Sequence, residues 1–559
     1  MHAARSPSPS AAAVGLLVTL LAATAPAAPD AAPAPDRPHI IVILADDLGW
    51  DDVSFHGNDQ IPTPNIDALA YHGIILNNHY TLPLCTPSRS ALMTGKYPMR
   101  TGMQHNVILA PEPWGLPLEE RLLPQRLRDL GYATHAVGKW HLGFFRREYT
   151  PIFRGFHSHF GYWNGHQDYY SHNVQASFAP FEGYDMRRNM SVATDAVGKY
   201  TTRLFTEEAV DRIRRHDARQ PLFLYLAHLA VHAANYEVPL QAPAEAVARF
   251  AHIADPERRL YAAMVHELDL SVGAVLQALQ ERGMLQHSTV LFLSDNGAPT
   301  RGIHANRGSN WPFKGVKATP WEGGVRTPAC IWSASLRAKH RVSNQMLHIT
   351  DWLPTFYGLA GGNVSSLGRV DGVDVWRALD EAAPSPRREV LINLDDVSAY
   401  AALRLGNFKY VNGTSLLGFL DEWHARPEGP ADPAYDVGAV LASPAARALR
   451  GALAAGAGAG PLDPHVVRVL REAARVQCAG PDPKAPRCRP RKRPCLFDVA
   501  RDPCEERNLY TPQLGALFET RLAQLRAEAV APRNKRGDKR ADPARWGGVW
   551  SPWADGVHE

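Results

Sequence analysis

Continuous apolar runs alternate with amphipathic stretches from Pro38 to about residue 379. The clearest runs are His39–Leu44, Ala133–Val137, Leu222–Ala227 and Ser288–Leu293. Runs of this length without polar alternation are typical of strands buried on both faces, and the stretches between them are typical of covering helices. The pattern therefore predicts an α/β fold in which helices cover both faces of a parallel sheet.

The longest amphipathic stretch predicts a single helix that ends near Gly283. Apolar side chains recur on one face of this helix, as expected for packing against a sheet. They are Tyr261, Met264, Val265, Leu268, Val272, Val275, Leu276 and Leu279.

Beyond Val390 the pattern changes to short strand-like pieces and a closing helix. The pieces are Ala401–Leu405, Phe408–Val411 and Cys495–Val499, and the helix carries Leu514, Leu517, Phe518, Leu522 and Leu525 on one side. We predict a main domain over residues 38–385 and a smaller C-terminal α+β subdomain over residues 386–559. An Ala/Gly-rich tract at 437–460 indicates a low-complexity insertion, and residues 484–493 form a basic loop.

The first residues are typical of a secretory leader. A basic start precedes the apolar stretch Ala11–Ala23, which is shorter than the about 20 residues of a membrane helix. We expect a signal peptide over residues 1–27, a Pro/Ala-rich linker over 28–37 and no transmembrane segment. Secretory-pathway sequons begin at Asn189, Asn363 and Asn412. The destination, lysosomal or secreted, stays open, as does the oligomeric state.

Composition excludes some classes of protein. The chain has 559 residues, of which 45% are hydrophobic and 21% charged, so most of it is globular. A net charge of +4 does not supply the concentrated basic surface of a dedicated nucleic-acid binder, and we predict no nucleic-acid partner.

Four of the six cysteines crowd together at positions 478, 488, 495 and 504. They contain no CxxC pair, so two disulfides are favoured over zinc, with three possible pairings. Cys330 lies in an apolar run and is expected to be a buried, inert thiol. Cys85 is then the one cysteine without an assigned role.

Polar clusters follow the predicted strands where they end. Asp46 and Asp47 follow the first strand, and Asp295 and Asn296 follow the last. The carboxyl ends of parallel strands share one edge, and oxygen ligands of this kind suit Ca²⁺ or Mg²⁺. The alternative is that both segments are only turns and helix caps.

The other two strands lead to cationic and titratable groups. His228 and His232 follow one, and Lys139 and His141 follow the other. Residues two apart in an extended stretch share a face, so Lys139 and His141 can act on one anion. His228 is the histidine we expect to be structural.

The segment from Cys85 to Arg89 (CTPSR), followed by Thr94-Gly95-Lys96, resembles the sulfatase signature. That family's cysteine is converted in the endoplasmic reticulum to formylglycine, an aldehyde whose hydrate is the nucleophile. From the residues alone, Cys85 would pass for a thiol nucleophile at a helix start, with Arg89 one turn later.

Further motifs follow in the order seen in this family. They are Asp46-Asp47, Gly138–Gly143, Asp295-Asn296-Gly297, the segment 321–326 (WEGGVR), and a C-terminal region from Leu496 to Leu509. Segments 309–312 (SNWP) and 348–352 (HITDW), with Lys317, are most similar to the arylsulfatase B group, whose main activity is N-acetylgalactosamine-4-sulfatase.

The resemblance implies an alkaline-phosphatase-like fold with a large mixed, mostly parallel sheet, and a role for each matching residue. The implied ligands of one Ca²⁺ are Asp46, Asp47, the modified Cys85, Asp295 and Asn296, and the implied pocket residues are Arg89, Lys139, His141, His232 and Lys317. Asp295 would accept a proton from the nucleophile, His141 would act as the second base, and either His232 or Lys317 would protonate the leaving oxygen.

The implied partners are a sulfated sugar, in particular N-acetylgalactosamine 4-sulfate units of glycosaminoglycans, or an aryl sulfate, and the formylglycine-generating enzyme. Two departures from the family bear on substrate choice: the loop 298–308 is not Gly-rich, and the tract 437–460 has no counterpart. Two rival functions are a phosphomonoesterase or phosphonate hydrolase of the same superfamily and an inactive secreted glycan-binding homologue.

The basic loop carries Lys484, Arg487, Arg489, Arg491, Lys492 and Arg493 among prolines. It is interpreted first as a solvated loop held by disulfides. The alternative is a cationic surface that binds a glycosaminoglycan whose end residue enters the Cys85 pocket.

Overall fold

The computed structural model describes residues 37–427, 429, 432–454, 462–478 and 486–555. The predicted signal peptide over residues 1–27 and residues 28–36 of the predicted linker lie outside the described residues. So do residues 455–460 of the Ala/Gly-rich tract and residues 484 and 485 of the basic loop.

Within the described residues the chain forms eighteen strands. They are β1 (His39–Ala45), β2 (Ile74–Leu76), β3 (His79–Tyr80), β4 (Ala133–Lys139), β5 (Ser158–Tyr162), β6 (Asn173–Gln175), β7 (Glu182–Tyr184), β8 (Arg187–Arg188), β9 (Ser191–Val192), β10 (Leu222–Ala227), β11 (Ser288–Ser294), β12 (Ala329–Ser333), β13 (Arg341–Ser343), β14 (Leu347–His348), β15 (Glu389–Asp395), β16 (Tyr400–Leu405), β17 (Phe408–Asn412) and β18 (Cys495–Asp498).

Thirteen α-helices accompany these strands over the same ranges. They are α1 (Pro64–His72), α2 (Cys85–Thr94), α3 (Leu123–Asp129), α4 (Thr201–Arg215), α5 (Ala244–Ala248), α6 (Pro256–Glu281), α7 (Glu322–Val325), α8 (Trp352–Leu359), α9 (Trp376–Asp380), α10 (Val437–Leu441), α11 (Pro444–Ala454), α12 (Pro464–Ala474) and α13 (Pro512–Ala527).

Ten strands form one large mixed sheet in the order β13-β2-β12-β11-β1-β10-β4-β5-β8-β9. Its centre, from β11 to β5, is parallel, while β12 runs antiparallel to β11. The four strands predicted from the apolar runs are all in this centre, and every residue of β1 is buried. The predicted α/β class and its mostly parallel sheet are therefore confirmed.

Helices cover both faces of the sheet. Successive side chains of β1 point to opposite faces and therefore pack in two different cores. Ile41 and Ile43 pack in the core that includes α1, α4 and α6, whereas Ile40, Val42 and Leu44 pack in the core that includes α2, α3 and α8. All eight predicted apolar residues of the long helix α6 are buried. Among the described residues α6 alone is long and apolar enough to cross a membrane, and 78% of its most apolar window is buried inside the fold.

The C-terminal part is a small domain built on the antiparallel sheet β15-β16-β17-β18, with α13 packed against it. The predicted apolar face of α13 was partly wrong. Phe518, Leu522 and Leu525 are buried, but Leu514 and Leu517 are 51% and 65% exposed. The buried face repeats from Gly515 at helical spacing, so the two leucines point to solvent on the neighbouring face.

The Ala/Gly-rich tract is folded over residues 437–454. Within the core, α11 buries Ala445, Ala446 and Leu449, and the backbone nitrogen of Ala445 donates to Oδ1 of Asn65 at 3.1 Å. Small side chains let α11 lie close to α6: a Cβ at Gly451 would be 2.8 Å from the amide nitrogen of Gln280, whose side chain would have to move.

The four clustered cysteines form two disulfides, as predicted. The pairs are Cys478 with Cys504 and Cys488 with Cys495. Cys330 is a buried free thiol, as is Cys85.

Candidate active site

The parallel strands bring the predicted polar residues to one edge of the sheet. Asp46 and Asp47 follow β1, Asp295 and Asn296 follow β11, and Lys139 is the last residue of β4. All of them are buried. Since these strands run in the same direction, their carboxyl ends form the rim at which ligands of open α/β sheets bind.

Cys85 begins helix α2 and points toward this rim. Its Sγ lies 3.6 Å from Oδ1 of Asp46, and the residue is only 2% exposed. Burial raises the pKa of the Cys85 thiol to about 12, against the opposing charges of Lys139 and Lys317. An unmodified thiol here stays protonated, which makes it a poor nucleophile.

Arg89 lies one turn after Cys85 and reaches across to β11. Its Nε and Nη2 donate to Oδ2 of Asp295 at 3.0 and 2.8 Å. The same Nη2 lies 3.6 Å from Oδ1 of Asp46. Arg89 therefore joins the carboxylates that follow two different strands.

Two lysines complete the cluster. Nζ of Lys139 donates to Oδ2 of Asp46 at 2.6 Å, and Nζ of Lys317 donates to Oδ2 of Asp47 at 2.7 Å. Burial alone would lower the pKa of Lys317, but the charges of Asp47, Cys85 and Asp46 and the hydrogen bond to Asp47 together outweigh burial and raise that pKa above its ordinary value. Three carboxylates and three cations thus lie together in the interior: Asp46, Asp47, Asp295, Arg89, Lys139 and Lys317.

The donor set fits a hard divalent cation. Nδ2 of Asn296 donates to Oδ1 of Asp47 at 2.6 Å, while its Oδ1 is buried with no hydrogen-bond partner in the described structure. Burial raises the pKa of both Asp47 and Asp295 in spite of their cationic neighbours, so a further cation would be favourable. Ligand atoms of Asp46, Asp47, Cys85 and His232 all lie within 4.8 Å of one another.

Two site residues have left-handed backbone conformations, with φ of 62° at Asp47 and 58° at His141. Non-glycine residues adopt this region at a cost and only where the surroundings enforce it. Asn306 helps to enforce it, because its Nδ2 donates to the backbone oxygens of Asp47 and Val231, each at 3.0 Å. Asn306 belongs to the loop 298–308, and no sequence motif pointed to it.

The hydrogen bonds of His141 fix its tautomer. Nε2 lies 2.9 Å from the backbone oxygen of Ile108 and so carries the proton, while Nδ1 is buried without a partner among the described residues. Burial, and next the charges of Lys139 and Arg89, lower the pKa of His141 well below its ordinary value. His141 is therefore neutral, with a free lone pair on Nδ1.

His232 is held in a similar way. Nδ1 donates to the backbone oxygen of Ala233 at 2.6 Å, which leaves Nε2 3.5 Å from Oδ2 of Asp47. Burial, and next the charge of Lys317, lower the pKa of His232 well below its ordinary value. His228, by contrast, lies outside the cluster and pairs with Oγ of Ser271 at 2.9 Å, which agrees with a structural role.

A pocket of about 610 Å³ opens above Cys85 and is lined at its base by His141, His232 and Lys317. Sequence reasoning missed two of its wall residues, His166 and His304. Their ring centroids are 4.6 Å apart, and the His304 ring also stacks on Tyr236. His166 and His304 lie in loops without a recognisable motif, so hydrophobic patterning could not place them.

Comparisons with known proteins match the part of the chain that carries these site residues. Residues 38–362 match the family model described as Sulfatase. The chain is 36% identical to mouse (Mus musculus) arylsulfatase J over 92% of this chain and 80% of that protein, and 36% identical to rat (Rattus norvegicus) N-acetylgalactosamine-6-sulfatase over 62% and 66%. The crystal structure of Ps i-CgsB superimposes with a TM-score of 0.66 at 25% identity, covering 89% of this chain and 94% of that one.

Proposed function

This chain belongs to the sulfatase family of sulfuric ester hydrolases, and we propose that it removes sulfate from sulfated sugars in the pocket above Cys85. The proposed substrates are N-acetylgalactosamine 4-sulfate units of glycosaminoglycans, with small aryl sulfates as minimal substrates. The proposed nucleophile is formylglycine, made from Cys85 by the formylglycine-generating enzyme during maturation.

One observation carries this proposal: Cys85 heads α2 beside three buried carboxylates and three buried cations. Burial raises the pKa of its thiol to about 12, so the unmodified side chain is unsuited to attack. The aldehyde would supply a hydrated carbon with two hydroxyl groups, which neither cysteine nor serine offers.

The residues present suit Ca²⁺, which we propose is held by Asp46, Asp47, Asp295 and Asn296 together with the modified Cys85. These are oxygen donors apart from the cysteine itself, and the unpartnered Oδ1 of Asn296 supports the assignment. A bound calcium ion would act as a Lewis acid on the sulfate oxygens.

The cations of the chain bind and orient the sulfate group. A sulfate ester carries one negative charge, and cleavage of its S–O bond places more charge on the leaving oxygen. Lys139 and Lys317 lie in a buried, low-dielectric site, where fixed positive charges stabilise such developing charge most strongly. Arg89 holds Asp295 in place through two hydrogen bonds.

Three side chains manage protons. Asp295 is the proposed acceptor of the nucleophile's proton. Nδ1 of His141 is the proposed second base, which is supported by the commitment of its other nitrogen to Ile108. Lys317 is the proposed donor to the leaving oxygen. His232 has its proton on Nδ1, bonded to Ala233, and so has none to give from Nε2 while neutral.

Release of inorganic sulfate from purified enzyme, produced together with the formylglycine-generating enzyme, tests the proposal. N-acetylgalactosamine 4-sulfate should be hydrolysed faster than the 6-sulfate isomer, and an aryl phosphate should not be hydrolysed. Preference for the 6-sulfate would correct the substrate, whereas phosphate release without sulfate release would contradict the function. The two disulfides support maturation in the oxidising secretory pathway, with a lysosomal or secreted destination.

A further inference from the structure

The basic loop presents five exposed cations at positions 487–493. None of them forms an ion pair with a carboxylate in the part of the chain that the structure describes: Arg487, Arg489, Arg491, Lys492 and Arg493. Some exposed arginines elsewhere, such as Arg215 and Arg219, are instead paired with neighbouring aspartates. Clustered like charges raise the energy of the free protein, so an external anion binds to them favourably.

The fold holds this loop in place. The disulfide between Cys488 and Cys495 closes it, and the backbone nitrogen of Gly413 donates to the oxygen of Pro490 at 3.0 Å. The guanidinium of Arg493 lies 5.0 Å from the ring centroid of Tyr510. Because the backbone of the loop is held in this way, only the exposed side chains have to be ordered when a ligand binds.

One short segment connects the basic loop to the pocket above Cys85. We refer to residues 413–420 as the rim segment. Nη1 of Arg491 donates to the backbone oxygen of Leu417 at 3.1 Å, and the preceding residue, Leu416, lines the pocket. Oγ of Ser415 donates to the backbone oxygen of Ala318, the residue after Lys317. The rim segment therefore connects the loop cations to Lys317, the proposed sulfate-binding lysine.

The loop 298–308 also contacts the rim segment. Gly302 packs against the side chain of Leu420, and Arg301 lines the pocket with its side chain exposed. Arg301 makes no hydrogen bond or ion pair within the described residues. The pocket mouth also exposes Phe178 and Tyr236, which are 91% and 56% accessible and offer flat apolar faces to a sugar ring.

From this arrangement we propose that the five loop cations at positions 487–493, the rim segment and Arg301 form a track that binds a sulfated polysaccharide extending out of the pocket. The terminal sulfated sugar occupies the pocket, and the sulfate and carboxylate groups of the following sugars contact the cations. The inference rests on the proposed function for the identity of the terminal sugar. It makes the preferred substrate a long polyanionic chain rather than an isolated sugar sulfate.

Two variants and one matched control test the track. One variant carries Gln at all five loop cations, and the other is Arg301→Gln. The control removes the same number of exposed cations that neither line the pocket nor form ion pairs within the described ranges: Arg128, Lys199, Arg249, Arg447 and Arg468, each to Gln. The readouts are KM for a chondroitin sulfate chain, KM for an aryl sulfate, and the salt concentration that elutes each protein from immobilised chondroitin sulfate.

We expect the five-residue variant to raise KM for the long chain about tenfold at low salt and to elute earlier, with KM for the aryl sulfate unchanged. The difference from wild type should shrink as salt rises, because the Debye length falls from about 10 Å at 0.1 M to about 3 Å at 1 M. Arg301→Gln should act in the same direction with a smaller effect, and the control should behave as wild type.

The proposal that these cations bind the polysaccharide would be overturned by an equal rise in KM and equally early elution in the control. Unchanged elution and KM in the five-residue variant would also overturn it. So would equal retention of the wild type on immobilised single-stranded DNA, which would indicate a general polyanion surface. Failure of the wild type to release sulfate from any ester would overturn the proposed function instead, while the elution measurement would still decide whether the track binds a sulfated chain.

Discussion

The side-chain amide of Asn296 donates to Oδ1 of Asp47 across 2.6 Å and leaves its own oxygen buried without a partner in the described structure. An unsatisfied buried oxygen costs about 1–3 kcal/mol. The pair is therefore oriented for a cation before one binds, since coordination by Oδ1 would remove that cost.

Asn296→Ala should weaken Ca²⁺ binding at least about tenfold, because it removes one ligand and the hydrogen bond that orients another. Calorimetric titration of calcium into metal-free protein measures the affinity, and the rise of Tm with calcium gives a second readout. The control is Asn393→Ala, which removes a buried amide bonded to Gln104 and Tyr400. Calcium affinity that falls in the control, or stays unchanged in Asn296→Ala, would remove Asn296 from the metal site.

The acid side of the pH profile should reflect His141. Burial, together with Lys139 and Arg89, lowers its pKa well below 6.5, so the basic form is lost only when pH falls through that lowered value. We therefore expect kcat/KM to hold as pH falls from about 7 to about 5.5, through the ordinary histidine range. His141→Gln should lower kcat by about 10²–10⁴-fold and flatten the acid limb. A half-maximal point at the ordinary histidine value would contradict a buried base.

Leaving-group dependence separates Lys317 from His232 as the proton donor. A general acid matters most when the leaving oxygen is strongly basic. Lys317→Met should therefore slow hydrolysis of a sugar sulfate far more than that of a nitrophenyl sulfate. His232→Gln should slow both substrates by similar factors. The opposite pattern in the two variants would assign the proton to His232.

The small C-terminal domain is joined to α7 of the main domain by a buried charge cluster. Nζ of Lys409 on β17 lies 2.9 Å from Oε1 of Glu322 and 2.8 Å from Oε1 of Glu505, and all three side chains are fully buried. Lys409→Met would leave the buried Glu505 without an ion-pair partner in the described structure and Glu322 with only Arg326, at 3.5 Å, so we expect the free energy of unfolding to fall by about 3–5 kcal/mol.

Urea denaturation measures the effect of Lys409→Met on stability. The double variant that also carries Glu505→Gln should regain part of the loss, because the side chain left without an ion-pair partner is then neutral, while Glu322 keeps its pair with Arg326. Equal stability of Lys409→Met and wild type would show that the cluster does not hold the domain in place.

The hydrophobic pattern predicted the centre of the sheet, because four uninterrupted apolar runs are typical of strands buried on both faces. The same argument placed Asp46, Asp47, Asp295 and Asn296 at one edge, since parallel strands end together. Patterning was less successful for α13, where leucines at neighbouring helical positions all suggested one face. Leu514 and Leu517 are exposed because the sheet covers only the stripe that includes Phe518 and Leu522.

Several site features depend on contacts between segments that are distant in sequence. Asn306 is defined by the backbone oxygens of Asp47 and Val231, and His304 by its stacking on Tyr236. Neither residue belongs to a motif or to a periodic element. The pairing of Cys478 with Cys504 was likewise undetermined, because spacing allowed three connectivities and only the folded chain selects one.

The most direct test of the central claim relates the chemical state of Cys85 to activity. Protein preparations made with increasing amounts of formylglycine-generating enzyme would be digested, and the mass of the Cys85 peptide would give the fraction converted to aldehyde. Turnover of sulfate ester per protein molecule should rise in proportion to that fraction and extrapolate to zero for the thiol form. Full turnover by protein whose Cys85 is entirely thiol would contradict the account.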